Sequence, residues 1–252
     1  ITPSSLKVGV KTDLKGVAFH VPAPYAKKAS QRMPSQFNMY FGGKAPWFSG
    51  QLGSYAAFAG VLNAAHTTMS KLHVRLGVDT LLPKPTATGW SVDGSVPTLN
   101  LKTWMNFSKK IKGSGKVHIN VMDPLGFVKV HFGLLDAWGQ AFPLLTVQWV
   151  HGAGGVHQLL LSSNNATGSI GFPQKPGEPY VASFTRLYLQ KHHKDDGKKL
   201  MPSDLATWPP ILFSVQSFGW SGYELGKVRF VLSHDRKGQS DILLAIHDKE
   251  LI

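Results

Sequence analysis

The chain has 252 residues, 42% of them hydrophobic, and carries a net charge of +13 from 27 Lys and Arg against 14 Asp and Glu. This composition supports a real core and excludes a disordered tail. The absence of cysteine excludes disulfides and thiolate metal sites. So much unbalanced positive charge predicts a negatively charged partner. Nucleic acid is the commonest, followed by an anionic membrane or a polyanionic glycan.

Alternation of apolar and polar residues predicts a chain built from many short strands. Turns rich in Gly, Pro and Asp separate them, and the scarcity of Glu disfavours helices. In chain order, the predicted strands are Gly16–Pro22, Leu72–Val78, Thr98–Phe107, Val117–Val121, Val128–Phe132, Leu145–Trp149, Leu159–Ser163, Thr185–Leu189, Ile211–Ser217, Val228–Leu232 and Asp241–His247. The segment Gly53–His66 fits a helix and a strand equally well. We therefore expect an all-β protein with an antiparallel sandwich or barrel, in a single domain over residues 1–252.

Catalytic chemistry has little support in this sequence. Paired carboxylates are missing from the first half of the chain, and HExxH, GxSxG and phosphate-loop motifs are absent. Eleven histidines are present, but no carboxylate accompanies the ones on predicted strands, so surface histidines are favoured over metal ligands. We expect no enzyme activity, no metal site and no cofactor.

Two basic clusters are the candidate nucleic-acid-binding residues. The first contains Lys102, Lys109, Lys110, Lys112 and Lys116, and the second contains Lys191, Lys194, Lys198 and Lys199. The stretch Lys109–Lys116 includes Gly113-Ser114-Gly115 and is expected to be a loop whose lysines neutralise phosphates without reading bases. The alternative is that both clusters are solvated hairpin tips. Nearby aromatic residues such as Trp104 and Tyr188 could stack on bases, although core packing is the commoner role.

Two further features concern the environment of the chain. No signal peptide or membrane span is visible, and the Ile1 start suggests cleavage from a precursor. The segment Ala137–Gln174 has no Lys, Arg, Asp or Glu, so it is either a core strand with a neutral loop or a surface buried against other chains.

Short aromatic–Ser–Gly elements carry a resemblance to a known family. Pro46-Trp47-Phe48-Ser49-Gly50-Gln51-Leu52 precedes the basic alternating segment Ser70–Val78, and a Gly-Trp-Ser-Gly element opens Gly219–Leu232. In that order they resemble the picornavirus-like coat-protein domains of the plant comovirus and nepovirus group (secovirids). Phe48 interrupts the contiguous Trp-Ser-Gly of that family.

The resemblance implies an eight-stranded antiparallel jelly-roll sandwich with long loops. It also implies a structural role in the icosahedral shell of a positive-strand RNA virus. The partners would be other coat subunits and packaged RNA, and the location would be the virion, assembled in the host cytoplasm. The alternative is a cellular basic β-sandwich protein that binds nucleic acid or a polyanionic glycan.

Overall fold

The computed structural model describes residues 6–42, 45–63, 68–112, 125–151, 156–175, 177–190, 208–234 and 240–247. By its internal contacts the chain divides into two compact units, Ile1–Gly133 and Leu134–Ile252. Each unit is described by itself below. The expectation of a single domain stays a prediction.

The described residues are almost entirely strands, which confirms the all-β prediction. One helix, α1 (Leu101–Lys112), lies among them. The strands of the first unit are β1 (Leu6–Thr12), β2 (Ser35–Phe41), β3 (Trp47–Leu52), β4 (Ala56–Leu62), β5 (Met69–Leu76) and β6 (Gly89–Asn100). β7 (Leu125–Ala137) crosses the unit boundary. The strands of the second unit are β8 (Gln140–His151), β9 (His157–Ser162), β10 (Ala166–Gly171), β11 (Tyr180–Leu189), β12 (Ile211–Trp220), β13 (Tyr223–His234) and β14 (Ser240–His247).

The strand order differs from the expected architecture. The strands follow one another in chain order through a 14-stranded sheet, and the eight-stranded jelly roll is not confirmed. A jelly roll places strands that are distant in sequence side by side, whereas here each strand pairs with its sequence neighbours. Most pairs are antiparallel, and β5–β6 and β11–β12 are parallel. Period-two alternation identifies strands but does not show which strands pair with one another, so the strand order could not be predicted from it.

Three local predictions are decided by the structure. The segment Gly53–His66 contains the strand β4, which settles the even choice between helix and strand. The predicted strand Thr98–Phe107 is wrong, because β6 ends at Asn100 and α1 begins at Leu101. The predicted strand Gly16–Pro22 is also wrong. Only an isolated bridge joins Phe19 to Lys27 there.

Helix α1 begins where a side chain caps it. Asn100 Oδ1 accepts hydrogen bonds of 2.8 Å from both the backbone N–H and the hydroxyl of Thr103. This satisfies a donor in the first turn that would otherwise lack a partner. Trp104 and Phe107 lie three residues apart and contact each other, and the Trp104 indole donates a 2.9 Å hydrogen bond to the Ala23 carbonyl. The lysines near the end of α1 suit the negative end of the helix dipole.

One face of the first unit's sheet is covered by irregular chain. Leu82 is buried against Ala57 and Ala59, whose side chains project from β4 on that face. Tyr55 donates a 3.2 Å hydrogen bond to the Ala26 carbonyl, which fastens the segment 13–34 to the same unit. Small side chains on β4 allow this close approach of the loops. We call this surface the covered face.

A buried ammonium group organises the covering segment. Lys27 is only 4% exposed, and its Nζ donates to the carbonyls of Leu14 and Val17 at 2.6 Å and of Lys28 at 3.2 Å. Three backbone acceptors in a partly dry site replace the hydration shell of the charge. The lysine therefore ties together a loop that contains little regular structure.

Candidate apolar ligand-binding faces

The opposite face of the first unit's sheet is apolar from β1 to β6. Side chains of directly paired residues project from the same face of a sheet, so the strand register identifies them. Two adjacent rows cross all six strands. One row is Val8, Met39, Phe48, Gly60, Leu72 and Trp90, and the other is Val10, Phe37, Gly50, Phe58, Val74 and Val92. We call these two rows the unit 1 apolar face.

This face is accessible, most of all at its edge. Val8 is 48% exposed, Val10 is 56% exposed and Phe37 is 41% exposed. Exposed apolar patches of this size mark binding sites on soluble proteins.

Aromatic rings lie flat on the unit 1 apolar face because glycines stand opposite them. Gly50 pairs with Phe58 and Gly60 pairs with Phe48 across the β3–β4 ladder. A β-carbon added at Gly50 would lie 2.3 Å from the Phe58 ring, and one added at Gly60 would lie 2.5 Å from the Phe48 ring. The rings therefore occupy the space that side chains at these positions would take. Phe37, Phe48 and Phe58 form a continuous aromatic chain, with centroid separations of 6.1 and 6.2 Å.

The second unit repeats this arrangement on seven strands. Two adjacent rows again cross every strand from β8 to β14. One row is Val147, Leu161, Gly168, Phe184, Val215, Val228 and Ile246, and the other is Trp149, Leu159, Ile170, Ala182, Phe213, Phe230 and Leu244. We call these rows the unit 2 apolar face.

Exposure varies across the unit 2 apolar face. Phe184, Val215 and Val228 are buried at its centre, where the apolar side chains pack on one another. On β14 the face is open, with Leu244 at 60% and Ile246 at 52% exposure. The opposite face of this unit is mixed in character and carries the row Gln148, Leu160, Ser169, Ser183, Ser214, Arg229 and Ala245.

Polar atoms are rare on both apolar faces. The indole Nε1 atoms of Trp90 and Trp149 are buried and have no hydrogen-bond partner within the described part of the chain. No charged side chain interrupts any of the four rows. The faces therefore suit hydrocarbon far better than a hydrated or charged ligand.

Charge is concentrated instead on the covered face of the first unit. Arg75 binds Asp93 through two hydrogen bonds of 2.8 and 2.9 Å, and His73 Nε2 lies 3.1 Å from the same carboxylate. The hydrogen bond from Arg75 holds the pKa of Asp93 below its ordinary value, against an opposing effect of burial, and His73 adds to the lowering. This ion pair joins the parallel strands β5 and β6 at the register Arg75–Asp93.

The predicted nucleic-acid-binding lysines are only partly described. Lys102, Lys109 and Lys110 lie on α1 with exposed side chains, and Lys112 is its last residue. The expected loop over Lys109–Lys116 is thus wrong for its first four residues, which are helical. Lys116, Lys191, Lys194, Lys198 and Lys199 lie outside the described residues. Their role in binding nucleic acid stays a prediction.

The aromatic residues near these lysines contact other side chains of the protein. Trp104 and Tyr25 make an edge contact with a centroid separation of 5.8 Å. Tyr188 lies over Gly219 and its hydroxyl is 3.0 Å from Ser217 Oγ. These contacts are those of structural side chains.

Sequence reasoning missed the apolar faces as a site. The alternation that identifies each strand also places its apolar residues on one face, but we expected those faces to meet in a sandwich core.

No described helix is long and apolar enough to cross a membrane. Among the same residues, no group of three His, Asp or Glu side chains could hold a metal ion.

Comparison with known proteins gives one match. A family model described as YhdP protein matches residues 2–245. No curated protein and no solved structure matches the chain.

This match overturns the resemblance to viral coat proteins. The matched family is bacterial, so the inferred coat-subunit function, the icosahedral shell, the coat-subunit and viral RNA partners and the virion location are wrong. The alternative of a cellular protein fits better. The aromatic–Ser–Gly elements misled because they serve two different local structures here. Ser49 and Gly50 lie inside strand β3, whereas Ser221 and Gly222 form the tight turn between β12 and β13.

Proposed function

The chain belongs to the YhdP family of bacterial proteins, and we propose that it binds lipids by holding their acyl chains against its two apolar sheet faces. The observation that carries this proposal is the set of four uninterrupted apolar rows, two in each unit. The proposal is for a binding protein and includes no catalytic step.

The dimensions of each face suit an acyl chain. At a strand spacing of about 4.8 Å, six strands span roughly 24 Å and seven span roughly 29 Å. One acyl chain crosses half of a bilayer core, or about 15 Å. A sixteen-carbon chain lying on a face with half of its surface covered would gain roughly 6 kcal/mol from burial. Association itself costs about 4 kcal/mol or more, so retention of a lipid requires more than one acyl chain on the faces or additional contacts to its head group.

The charge of the protein favours anionic lipids as the occupants. Each copy carries +13, so a second copy laid on the same apolar face would be repelled. Anionic head groups are attracted by the same charge, and each basic residue near such a surface contributes about 1 kcal/mol. Exposed lysines that alternate with the apolar residues of β1, such as Lys7 and Lys11, lie on the opposite side of the strand and leave the apolar side uncharged.

The test compares matched substitutions on the two faces of edge strands. Leu244 and Leu243 are neighbours on β14 with 60% and 56% exposure, but only Leu244 belongs to the unit 2 apolar face. The test variant is Leu244→Gln and the control is Leu243→Gln, and neither changes the net charge of the chain. On β1, Val8→Gln tests the unit 1 apolar face in the same way.

The assay measures phosphatidylglycerol retained by the purified protein after incubation with vesicles and gel filtration. An amide forced against hydrocarbon costs about 1 kcal/mol or more, so the test variant should bind at least about fivefold more weakly. The control should stay within about twofold, since exposed substitutions away from a site have small effects. Equal binding by the two variants, with circular dichroism unchanged, would refute the proposed faces.

A further inference from the structure

The mixed face of the second unit carries a separate cavity that is unrelated to the apolar faces. It has a volume of about 290 Å³ and lies across strands β11, β12 and β13. Its lining includes Val181, Ser183, Leu212, Ser214, Arg229 and Val231. Small-molecule sites begin at about this volume.

The polar side of this cavity is a row of hydroxyls that ends in a cation. Ser183 and Ser214 face each other with their oxygens 3.4 Å apart. Ser214 pairs directly with Arg229 on the next strand, which places their β-carbons about 5 Å apart. Arg229 is exposed and takes part in no ion pair or hydrogen bond with another described residue. Its five N–H donors are available to a ligand.

The other side of the cavity is apolar. Val181, Leu212 and Val231 occupy the neighbouring cross-strand row on the same face. Hydroxyls and a guanidinium on one side, with aliphatic carbon on the other, match the two surfaces of a sugar ring. The guanidinium is suited to bidentate binding of a phosphate or carboxylate on such a ring.

A second cavity continues the same site. It has a volume of about 540 Å³, shares Val181 and Ser183 with the first, and adds Gln158 and Ser169. Glu178 also lines it, but its Oε2 already accepts hydrogen bonds of 3.1 and 3.2 Å from two backbone N–H groups of its own loop. Those donors stabilise the Glu178 carboxylate within its own loop, and it forms no ion pair with Arg229.

We propose that this Ser183–Ser214–Arg229 cavity binds an anionic sugar, with Arg229 holding the phosphate or carboxylate and the serines holding ring hydroxyls. The site does not depend on lipid binding, because it lies on the opposite face of the sheet. The chain would therefore bind a small hydrophilic ligand in this cavity as well as lipid on its apolar faces.

The test is calorimetric titration of the whole chain with glucose 6-phosphate, and separately with glucose and with inorganic phosphate. Glucose 6-phosphate should bind about tenfold more tightly than glucose or inorganic phosphate alone, since the hydrogen bonds from Arg229 to the phosphate add to those of the sugar hydroxyls. The Arg229→Gln variant should lose at least about tenfold for glucose 6-phosphate and for phosphate. Lys227→Gln, which removes the same charge two residues away on the same strand and face, should lose less than about twofold.

A second variant separates the role of the two serines from that of Arg229. Replacing Ser183 and Ser214 together by Ala should reduce the advantage of glucose 6-phosphate over phosphate and leave phosphate binding unchanged. Equal losses in Arg229→Gln and Lys227→Gln would show general charge attraction and overturn the site. So would glucose 6-phosphate binding no tighter than phosphate in the wild-type chain. Lipid retention, measured in parallel, should be equal in Arg229→Gln and Lys227→Gln, which lose the same charge, and should be unchanged in the serine double variant.

Discussion

The pairing of glycine with aromatic rings on the unit 1 apolar face predicts a large effect of one methyl group. In Gly50→Ala the new β-carbon would lie 2.3, 2.6 and 3.0 Å from three atoms of the Phe58 ring. Relaxed carbon–carbon contacts are about 3.5–4.0 Å, so the ring must move by more than 1 Å. Such overpacking costs about 1–3 kcal/mol. The lower chain entropy of Ala in the unfolded state offsets about 0.4–1 kcal/mol of this.

We therefore expect Gly50→Ala to lose about 1–2 kcal/mol of unfolding free energy, measured by urea denaturation with tryptophan fluorescence. Gly171→Ala is the matched control in a strand, because its nearest contact would be an ordinary 3.6 Å from the Val181 carbonyl. The control should be as stable as the wild type or slightly more stable.

A double substitution tests the cause. In a Phe58→Leu background the aromatic ring that the added methyl group would overlap is absent. Gly50→Ala should therefore lower the free energy of unfolding much less there than in the wild type. If Gly50→Ala were as stable as Gly171→Ala, or if its cost were the same in both backgrounds, the account of flat rings over glycine would be refuted.

Two further stability predictions follow from the polar groups of the first unit. Lys27→Met leaves three carbonyls without their buried donor and should cost about 2–4 kcal/mol, whereas the exposed neighbour substitution Lys28→Met should stay within about 0.5 kcal/mol in the same denaturation assay. The lowered pKa of Asp93 means that its ion pair with Arg75 stabilises the fold above the unfolded-state pKa of about 3.9, and that this contribution is lost as the pH falls through the lower folded-state pKa. In Asp93→Asn the free energy of unfolding should therefore fall less steeply as the pH is lowered below about 4. An unchanged decrease would contradict the lowered pKa of Asp93.

The strands of this protein could be recognised from its sequence because alternation is a local property. Val228–Leu232 and Leu145–Trp149 alternate cleanly, and both lie in strands. Helix α1 was missed because Asn100 was not recognised as its N-cap. Without that boundary, Leu101, Trp104 and Phe107 were read as part of the preceding strand. In that stretch the apolar residues fit a short strand as well.

The candidate site could not be predicted for a different reason. Alternation shows that Val8 and Val10 share a face, and it also shows this for Leu244 and Ile246. It cannot show whether another layer covers that face, since this depends on contacts between distant segments. Similar sequence elements at Ser49 and Ser221 also took different conformations, because strand pairing at one position and a two-residue turn at the other decided the backbone.

Photocrosslinking with a lipid tests the central claim most directly. Phosphatidylglycerol carrying a diazirine in its acyl chain would be bound to the whole protein and irradiated, and the labelled residues would be located by peptide mass spectrometry. The account predicts crosslinks at alternate positions of the edge strands, at Val8 and Val10 of β1 and at Leu244 and Ile246 of β14. It predicts none at Lys7, Lys11 or Leu243. Crosslinks spread equally over both faces, or confined to the face of Leu243, would contradict it.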